Sequence, residues 1–390
     1  MSIYITGTGL FTPPHSISND ELVESFNAYV EKYNRENAEA IACGEIEALE
    51  ASDADFITKV SGIKSRYVMD KDGILDPNVM TPCLPARTLG ETPSLMAQMG
   101  MDALNDALSE AGLQADELDG IIVACSNLPR AYPALAIEIQ HFIGMTGGFA
   151  YDMNVACSAA TFGIAQAVGS IQAGLGKRMA VVNVEITSAH LNWRNRDSHF
   201  IFGDVATASI IEACGKDSGR EPKGFGIIDS KLFTEFSTNI KNELGFLNRS
   251  EDLARQNGQG DDINNDLQSP TSDHLFMQNG RKVFRDVCPK VASLIKEQLA
   301  KNDLPTDTVI MMWLHQANAN MIDLILRQVM GKEADKAIAP MVIDEFANTS
   351  SASPIIVFHR YKDKLKSGDL GVMCSFGAGY SIGSVLVRKV

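Results

Sequence analysis

Three residues whose types suit nucleophilic acyl transfer stand at the ends of apolar segments in this sequence. Cys157 follows the strand-like run FAYDMNVA and precedes SAATFGIAQAVGS, whose small residues are typical of a helix. Unpaired backbone N–H groups and the dipole at such a helix start favour a thiolate, the nucleophilic form of cysteine. An inert cysteine of the apolar core is the alternative that this segment alone leaves open.

His315 and Asn348 are the polar partners that such a nucleophile would need. His315 ends the run VIMMWLHQ at a strand-to-helix junction, a usual ligand site in α/β folds, although a lone histidine there is more often structural. Asn348 lies in FANTSSAS, which by itself indicates a helix cap or turn. The glycines of CSFGAGYSIG permit close backbone approach and could direct an N–H at an oxyanion, with a plain tight turn as the alternative.

The segments around these residues alternate between strand and helix patterns twice along the chain. Val- and Ile-rich runs and helix-period segments alternate in residues 1–215, and the same alternation returns in residues 216–390. This repeat predicts an α/β protein of two pseudo-duplicated halves, with Cys157 in the first. Two polar insertions interrupt it: residues 27–55 are predicted to be helical and residues 254–270 to form a flexible loop.

Composition narrows the class of protein. The 390 residues are 45% hydrophobic and 21% charged, as in an ordinary globular protein, and the net charge of −15 disfavours nucleic acid and anionic lipid as partners. Seven widely spaced cysteines without a CxxC pair argue against a disulfide framework and a zinc site. The start lacks the pattern of a signal peptide and no apolar run reaches membrane-spanning length, which predicts a soluble, cytoplasmic protein.

Taken together, the four motifs resemble those of the ketoacyl-[acyl-carrier-protein] synthase III family. ACS contains Cys157, HQAN contains His315 and Asn318, NTSSAS contains Asn348, and FGAG occupies residues 376–379. The order matches, and the likeness extends from ITGTG near the start through SGIKSRY and FIFGDVATA. Membership implies an α/β thiolase fold of two βαβαβαββ halves in five layers, α/β/α/β/α, a homodimer, and a Cys-His-Asn triad.

The resemblance also implies an activity. Cys157 would take an acyl group from acyl-CoA, and malonyl-acyl carrier protein would lose CO₂ and attack the acyl-cysteine, giving 3-oxoacyl-acyl carrier protein at the start of fatty acid synthesis. The N–H groups of Cys157 and Ala378 would hold the oxyanion, and His315 and Asn348 would stabilise the enolate. The CoA thioester is a substrate, and neither a metal nor another cofactor is expected.

The resemblance also assigns roles to residues outside the triad. Substrate contacts correspond to Asn318, Arg196, Phe56 and Tyr132, the last as a residue that reaches the partner subunit's acyl pocket. The family positions that meet the carrier protein correspond to Arg281, Arg285 and Arg327. A surface ion pair, interface packing and a solvated helix face are the respective alternatives for Arg196, Tyr132 and the docking arginines. Two departures affect these positions: Asn320 stands where compact members carry a docking arginine, and Phe56 and Val60 replace a Trp–Arg pair at the CoA entrance.

Four other interpretations remain beside this one. A thiolase would use Cys374 as a second reactive cysteine, but Asn348 occupies the place of its histidine. Plant-type polyketide synthases share the triad but end in GFGPG, where this chain has SFGAG. The added segment 27–55 and a larger loop at 64–90 favour a medium or long acyl primer for a specialised lipid or polyketide product. The non-enzyme alternative is a degenerate partner subunit, although such proteins usually lose the nucleophile.

Overall fold

Five strands of the N-terminal half form one end of a continuous mixed sheet. The computed structural model describes residues 2–86, 90–215, 218–243, 245, 247, 275–331 and 334–390, so the loop expected at 254–270 lies outside the described residues. The five strands are β1 (Ser2–Phe11), β4 (Gly120–Cys125), β5 (Phe149–Asn154), β6 (Arg178–Glu185) and β7 (Val205–Cys214). Their order is β1-β7-β6-β4-β5, in which β4 runs parallel to β5 and β6 while β7 is antiparallel to β1 and β6.

Four strands of the C-terminal half continue the same sheet. They are β8 (Phe225–Ser237), β11 (Val309–Leu314), β12 (Leu370–Gly377) and β13 (Gly379–Lys389), in the order β8-β13-β12-β11. Only β11 and β12 are parallel, and the two halves join where β1 pairs briefly with β8 through Tyr4 and Ile5. Strands buried on both faces are rich in Val, Ile and Met, which explains the near-continuous apolar runs of the sequence.

Helices cover both faces of each group of strands. Those of the first half are α5 (Leu95–Ala111), α6 (Leu135–Phe142) and α7 (Ala159–Gln172), and those of the second are α8 (Gly280–Lys301), α9 (Ala319–Met330) and α11 (Ser353–Tyr361). Helices α7 and α11 share one apolar core with strands of both halves, α5 and α6 pack outside the first half, and α8 and α9 pack outside the second. The five layers are therefore α/β/α/β/α, which confirms the predicted thiolase-type arrangement.

The two halves differ in how fully they follow the βαβαβαββ pattern. The first half is complete once the insertion between β1 and α5 is set aside. In the second half, the described residues give β8, α8, β11, α9, α11, β12 and β13, and lack the third strand. The segment between α9 and α11 instead forms a short turn at Lys336–Ile338, helix α10 (Ile343–Phe346) and the loop that carries Asn348.

The segment between β1 and α5, which includes residues 27–55, forms a lobe beside the N-terminal strands. It contains β2 (His15–Ser18) paired with β3 (Ser65–Val68), and helices α1 (Asn19–Glu36), α2 (Ala38–Ala42), α3 (Ala54–Ser61) and α4 (Asp72–Leu75). A capping box between Ser18 and Glu21 starts α1. The predicted helix at 27–55 is thus partly right, since α1 begins earlier and residues 43–53 are not helical.

The lobe has its own apolar core, and this core reaches the cavity described below. Phe26, Ile57 and Trp193 are buried in it together with Phe200 and Phe202. A short pair of strands, β9 (Ile240–Lys241) and β10 (Met277–Gln278), lies at the start of α8. Within the described part of the chain, no helix has the length and apolar content needed to cross a membrane.

Candidate active site

Cys157 lies at a sharp turn between a strand and a helix, as its flanking sequence predicts. Strand β5 ends at Asn154, a turn of 3₁₀ helix covers Ala156–Ser158, and α7 begins at Ala159. Ala156 has a φ of +46°, a left-handed backbone conformation that costs a residue with a Cβ free energy. The turn places the partly exposed Cys157 side chain in front of the N-terminus of α7.

The glycine-rich segment after β12 comes into contact with this turn. A Cβ built on Gly377 would lie 2.6 Å from the Cβ and 3.2 Å from the sulfur of Cys157, so only glycine fits there. The backbone N–H groups of Ala378 and of Cys157 itself lie near the Cys157 sulfur, where both act to lower the pKa of its thiol. The structure thus brings together the two N–H groups that the resemblance assigns to an oxyanion hole.

His315 follows the C-terminal end of β11 and is almost completely buried. Its backbone N–H donates to the Cys374 carbonyl at 2.8 Å, which fixes the start of the loop after the strand. Nδ1 lies 2.6 Å from Oγ of Ser353, and the ring meets Phe376 edge to face at 5.1 Å between centroids. Desolvation by this apolar shell lowers the pKa of His315 to about 3, so the imidazole is neutral at physiological pH.

Asn348 lies in a loop that crosses from the lobe to α11. Its backbone N–H donates to the Ile201 carbonyl at 3.0 Å, and its Oδ1 accepts from the Ser350 N–H at 2.9 Å. With Oδ1 committed to an acceptor role, the amide NH₂ is the group available to donate to a bound molecule.

One cavity of about 510 Å³ joins the three residues of the predicted triad. Cys157, His315 and Asn348 all line it. Its remaining wall is mainly apolar and comes from the lobe, β9, β10, β12, α8 and α9. The large apolar side chains in it are Phe200, Phe202, Phe276, Phe284, Met321 and Phe376. Exposed residues at the start of α8, among them Gly280 and Arg281, also line the cavity and so mark its mouth. The arrangement is that of an apolar tunnel leading from the surface to a thiol.

Burial controls the ionisation of Cys157 and overturns one expectation. The apolar surroundings raise the pKa of the Cys157 thiol to about 11, and the nearby Glu185 carboxyl adds to this rise. The hydrogen bonds from Ser350 and from the two backbone N–H groups act in the opposite direction without reversing it. The helix terminus was expected to favour a thiolate, but desolvation outweighs it, and the resting residue is a thiol.

Two residues near the thiol were missed by the sequence analysis. Ser350 has a φ of +48° and its Oγ donates to the Cys157 sulfur at 3.4 Å. Glu185, at the end of β6, is fully buried and accepts from the N–H and Oγ of both Ser126 and Ser351. Burial raises the pKa of Glu185 to about 7. A serine-rich run is too common, and a strand-end glutamate too ordinary, for either role to be read from the sequence.

Asn318 and Asn320 tie the HQAN segment to the lobe. Asn318 caps α9 through its Oδ1, which accepts from the Asn320 N–H at 2.8 Å. The side-chain amides of both asparagines donate to the Val60 carbonyl, at 2.8 Å and 3.2 Å respectively. Asn318 and Val60 line the cavity, so Asn318 is placed to meet a substrate. Asn320, at the position where compact members of the family carry an arginine, is bonded to the last turn of α3.

The other predicted substrate contacts lie away from the cavity wall. Arg196 donates from Nε to the Ala51 carbonyl at 2.8 Å and lies 3.5 Å from Glu50, so it holds the insertion in the way the ion-pair alternative described. Phe56 is half exposed on α3. Tyr132 is 85% exposed, which suits a residue that contacts another subunit. None of Arg196, Phe56 and Tyr132 lines the cavity in the described residues.

The three predicted docking arginines lie in different surroundings. Arg281 lines the cavity mouth, and Arg285 lies one turn further along α8, exposed and paired with Asp286 at 3.2 Å. Arg327 is exposed near the end of α9.

Cys374, the residue of the thiolase alternative, is buried on β12 in the outer core beside α8 and α9, where burial raises the pKa of its thiol strongly.

Fold and site together define a condensing enzyme of the thiolase type, and solved structures share this fold. The 3-oxoacyl-[acyl-carrier-protein] synthase III of Aquifex aeolicus superposes with a TM-score of 0.73 at 23% identity, covering 99% of each chain. The priming β-ketosynthase of the R1128 polyketide pathway gives 0.74 at 20% identity, covering 99% of this chain and 96% of its own. At these identities, the likeness establishes the fold alone.

Sequence relatives identify the family. Family models described as 3-oxoacyl-[acyl-carrier-protein] synthase III match residues 151–235, and residues 299–389 for its C-terminal part. A β-ketodecanoyl-[acyl-carrier-protein] synthase of Pseudomonas aeruginosa is 51% identical over 94% of this chain and 100% of its own. A β-ketoacyl-[acyl-carrier-protein] synthase III of Acidiphilium cryptum is 35% identical over 74% and 83%. The chain belongs to the 3-oxoacyl-[acyl-carrier-protein] synthase III family and is a condensing enzyme of the acyltransferase class.

Proposed function

We propose that this enzyme condenses an acyl-CoA primer with malonyl-acyl carrier protein through an acyl-Cys157 intermediate. The observation that supports this most directly is the single cavity in which Cys157, His315 and Asn348 meet. In the first half-reaction the sulfur bonds to the acyl carbon, the carbon–sulfur bond to CoA breaks, and the thiol proton leaves with CoA as CoA-SH. The two N–H groups at Cys157 and Ala378 stabilise the oxyanion of the tetrahedral intermediate.

The second half-reaction depends on His315 and Asn348. Loss of CO₂ from the malonyl thioester leaves an enolate, whose carbon bonds to the acyl-cysteine carbonyl. The carbon–sulfur bond to Cys157 then breaks, and the released thiolate takes up a proton from solvent to restore the thiol. A neutral imidazole and the Asn348 amide stabilise the enolate oxygen, since hydrogen bonds are stronger in an apolar cavity than in water. The thioester and the released CO₂ provide the driving force, so the proposed reaction uses no resident metal or cofactor.

We infer a primer of about eight carbons from the kind of product that the closely similar relative makes. The name of the P. aeruginosa protein specifies a ten-carbon β-keto product. Each condensation of this type adds two carbons from malonyl after CO₂ leaves, so the matching primer is an octanoyl group. This agrees with the medium-chain alternative of the sequence analysis, and the apolar walls of the cavity suit an aliphatic or pantetheine chain.

We further propose that the enzyme is a cytoplasmic homodimer. In the described part of the sheet β5 is an edge strand, and an exposed edge is a ready template for pairing with a second copy. Tyr132 is exposed nearby in sequence, ahead of α6, and suits the same contact. All seven cysteines are free, as in a reducing compartment.

Mass spectrometry of the intact protein tests the proposed function. The wild type should gain the mass of one acyl group from acyl-CoAs, fastest near eight carbons, and Cys157→Ala should gain none while Cys374→Ala behaves as wild type. A degenerate partner subunit would gain no mass with any primer, and a thiolase would make acetoacetyl-CoA without malonyl. Acylation that persists in Cys157→Ala would refute the proposal.

A further inference from the structure

Ser350 makes a contact with each part of the proposed triad. Its Oγ donates to the Cys157 sulfur at 3.4 Å, and its N–H donates to Oδ1 of Asn348 at 2.9 Å. The Oγ of Ser353 lies 3.1 Å from the Ser350 carbonyl and 2.6 Å from Nδ1 of His315, so it links the two residues. Ser350 is therefore bonded to Cys157 and Asn348 directly and is linked to His315 through Ser353.

The backbone at Ser350 is held in a conformation that serine rarely adopts. Its φ of +48° lies in the left-handed region, which costs a residue with a Cβ about 1–3 kcal/mol at such sites. The following residue, Ser351, is anchored by its N–H and Oγ to the buried Glu185. The surrounding bonds keep the turn in place, and its effect is to direct the Ser350 hydroxyl at the sulfur.

The electrostatics of the cavity give that hydroxyl a chemical task. The Glu185 carboxyl disfavours a thiolate at Cys157, and His315, which lines the same cavity, is neutral. Arg281 also lines the cavity, among the exposed residues at its mouth. Charge must nevertheless build up on sulfur as the thiol proton leaves, and a hydrogen bond to an ionised acceptor is roughly twice as strong as one to a neutral acceptor. The Ser350 hydroxyl thus binds the reacting state more tightly than the resting thiol.

We propose that Ser350 is a further catalytic residue, whose hydroxyl stabilises the Cys157 thiolate during acyl transfer; this rests on the proposed role of Cys157 as nucleophile. The backbone N–H groups are shared between the sulfur and the oxyanion, whereas the Ser350 hydroxyl serves the sulfur. Loss of the hydroxyl should slow every reaction of the Cys157 thiolate, including reactions that involve no acyl substrate.

Alkylation of Cys157 by iodoacetamide, followed on the Cys157 peptide by mass spectrometry between pH 7 and 10, tests this. In Ser350→Ala the alkylation rate at fixed pH should fall about tenfold or more, as expected for a lost hydrogen bond to a charged group. Ser350→Gly relieves the left-handed backbone as well, and it should show the same fall. Thr349→Val is the matched control, because the buried Thr349 hydroxyl has no hydrogen-bond partner among the described residues; its rate should equal that of the wild type.

Three outcomes would overturn the assignment. Wild-type alkylation in both Ser350 variants would show that the hydroxyl does not act on sulfur. A fall in Ser350→Ala alone would assign the effect to the backbone, and an equal fall in Thr349→Val would assign it to the loop as a whole. Failure of the proposed function is separate, since it would appear as absence of acyl-CoA labelling on Cys157 in the wild type, which the alkylation assay does not use.

Discussion

Gly377 and Cys157 approach each other so closely that a Cβ on residue 377 would lie 2.6 Å from the Cβ of Cys157. Gly377 is the last residue of β12, in the C-terminal half, whereas Cys157 precedes α7 in the N-terminal half. The contact brings the N–H of the next residue, Ala378, to the sulfur. The two halves of the fold therefore meet at the nucleophile, and the meeting requires a residue without a side chain.

Replacing Gly377 by alanine should displace the sulfur from its two backbone donors. We expect Gly377→Ala to fold, with a loss of about 1–3 kcal/mol from overpacking. Single-turnover acylation, measured by intact mass, should fall by about 10²-fold or more because the oxyanion donors lose their alignment. Gly169→Ala in α7 is the control, since a Cβ there meets no atom within 4 Å. Wild-type acylation by Gly377→Ala would show that the close approach is not needed for chemistry.

Asn348→Asp should separate the two half-reactions. The new side chain keeps an oxygen for the Ser350 N–H but replaces the amide donor by a second acceptor. Acyl transfer to Cys157 should stay within a few-fold of wild type, whereas CO₂ release from malonyl thioester should fall by about 10²–10³-fold. Protonation of the carboxyl would restore a donor, so the defect should shrink as pH falls. An equal loss of both half-reactions would contradict this division of roles.

Most of the fold, and the convergence of Cys157, His315 and Asn348 on one cavity, could be predicted from the sequence because both depend on local patterns. Buried strands such as β4 and β12 appear as apolar runs, and α5 and α9 appear by their helical period. Cys157, His315 and Asn348 each occur in a short motif at the end of such a segment. The cavity that joins them confirms that the motifs converge, as the family resemblance implied.

What the sequence did not predict depends on contacts between distant segments. The ionisation of Cys157 follows from the apolar shell and Glu185, neither of which is adjacent to it in the chain. The Ser350 contact requires a left-handed residue within a serine run, and no residue type marks that position. The resemblance assigns Arg196 a substrate contact, but its bonds to Glu50 and Ala51 depend on the polar segment at 27–55, which no motif connects to it.

His315 should remain neutral throughout the pH range in which the enzyme is active. Burial lowers the pKa of His315 to about 3, so CO₂ release from malonyl thioester should show no step near pH 6.5. Between pH 6.5 and about 3 the unfolded chain binds a proton at this residue that the native state excludes. The free energy of unfolding should therefore decrease as pH falls through this window. A titration of the His315 ring by NMR with a midpoint between 6 and 7 would contradict the buried, neutral imidazole.

Docking of an acidic carrier protein should depend on the charges at the start of α8, because the enzyme as a whole has a net charge of −15. Arg281 lies at the cavity mouth and Arg285 is exposed beside it. Arg281→Glu and Arg285→Glu should each raise the KM for malonyl-acyl carrier protein about tenfold at low salt, with kcat little changed, because like charges then face each other.

The dependence on ionic strength makes this last prediction specific. Raising the salt concentration should raise the KM of the wild type for malonyl-acyl carrier protein towards that of the charge-reversed variants. The reason is that exposed charges more than about 10 Å apart are largely screened from each other at 0.1 M salt. Acylation by acyl-CoA should be almost unaffected in Arg285→Glu, which lies outside the cavity wall. Lys366→Glu, an exposed charge reversal in the turn before β12, is the control and should leave the KM for carrier protein near that of the wild type. If Lys366→Glu raised that KM as much as Arg285→Glu did, the effect would come from overall charge, and α8 would not be the docking surface.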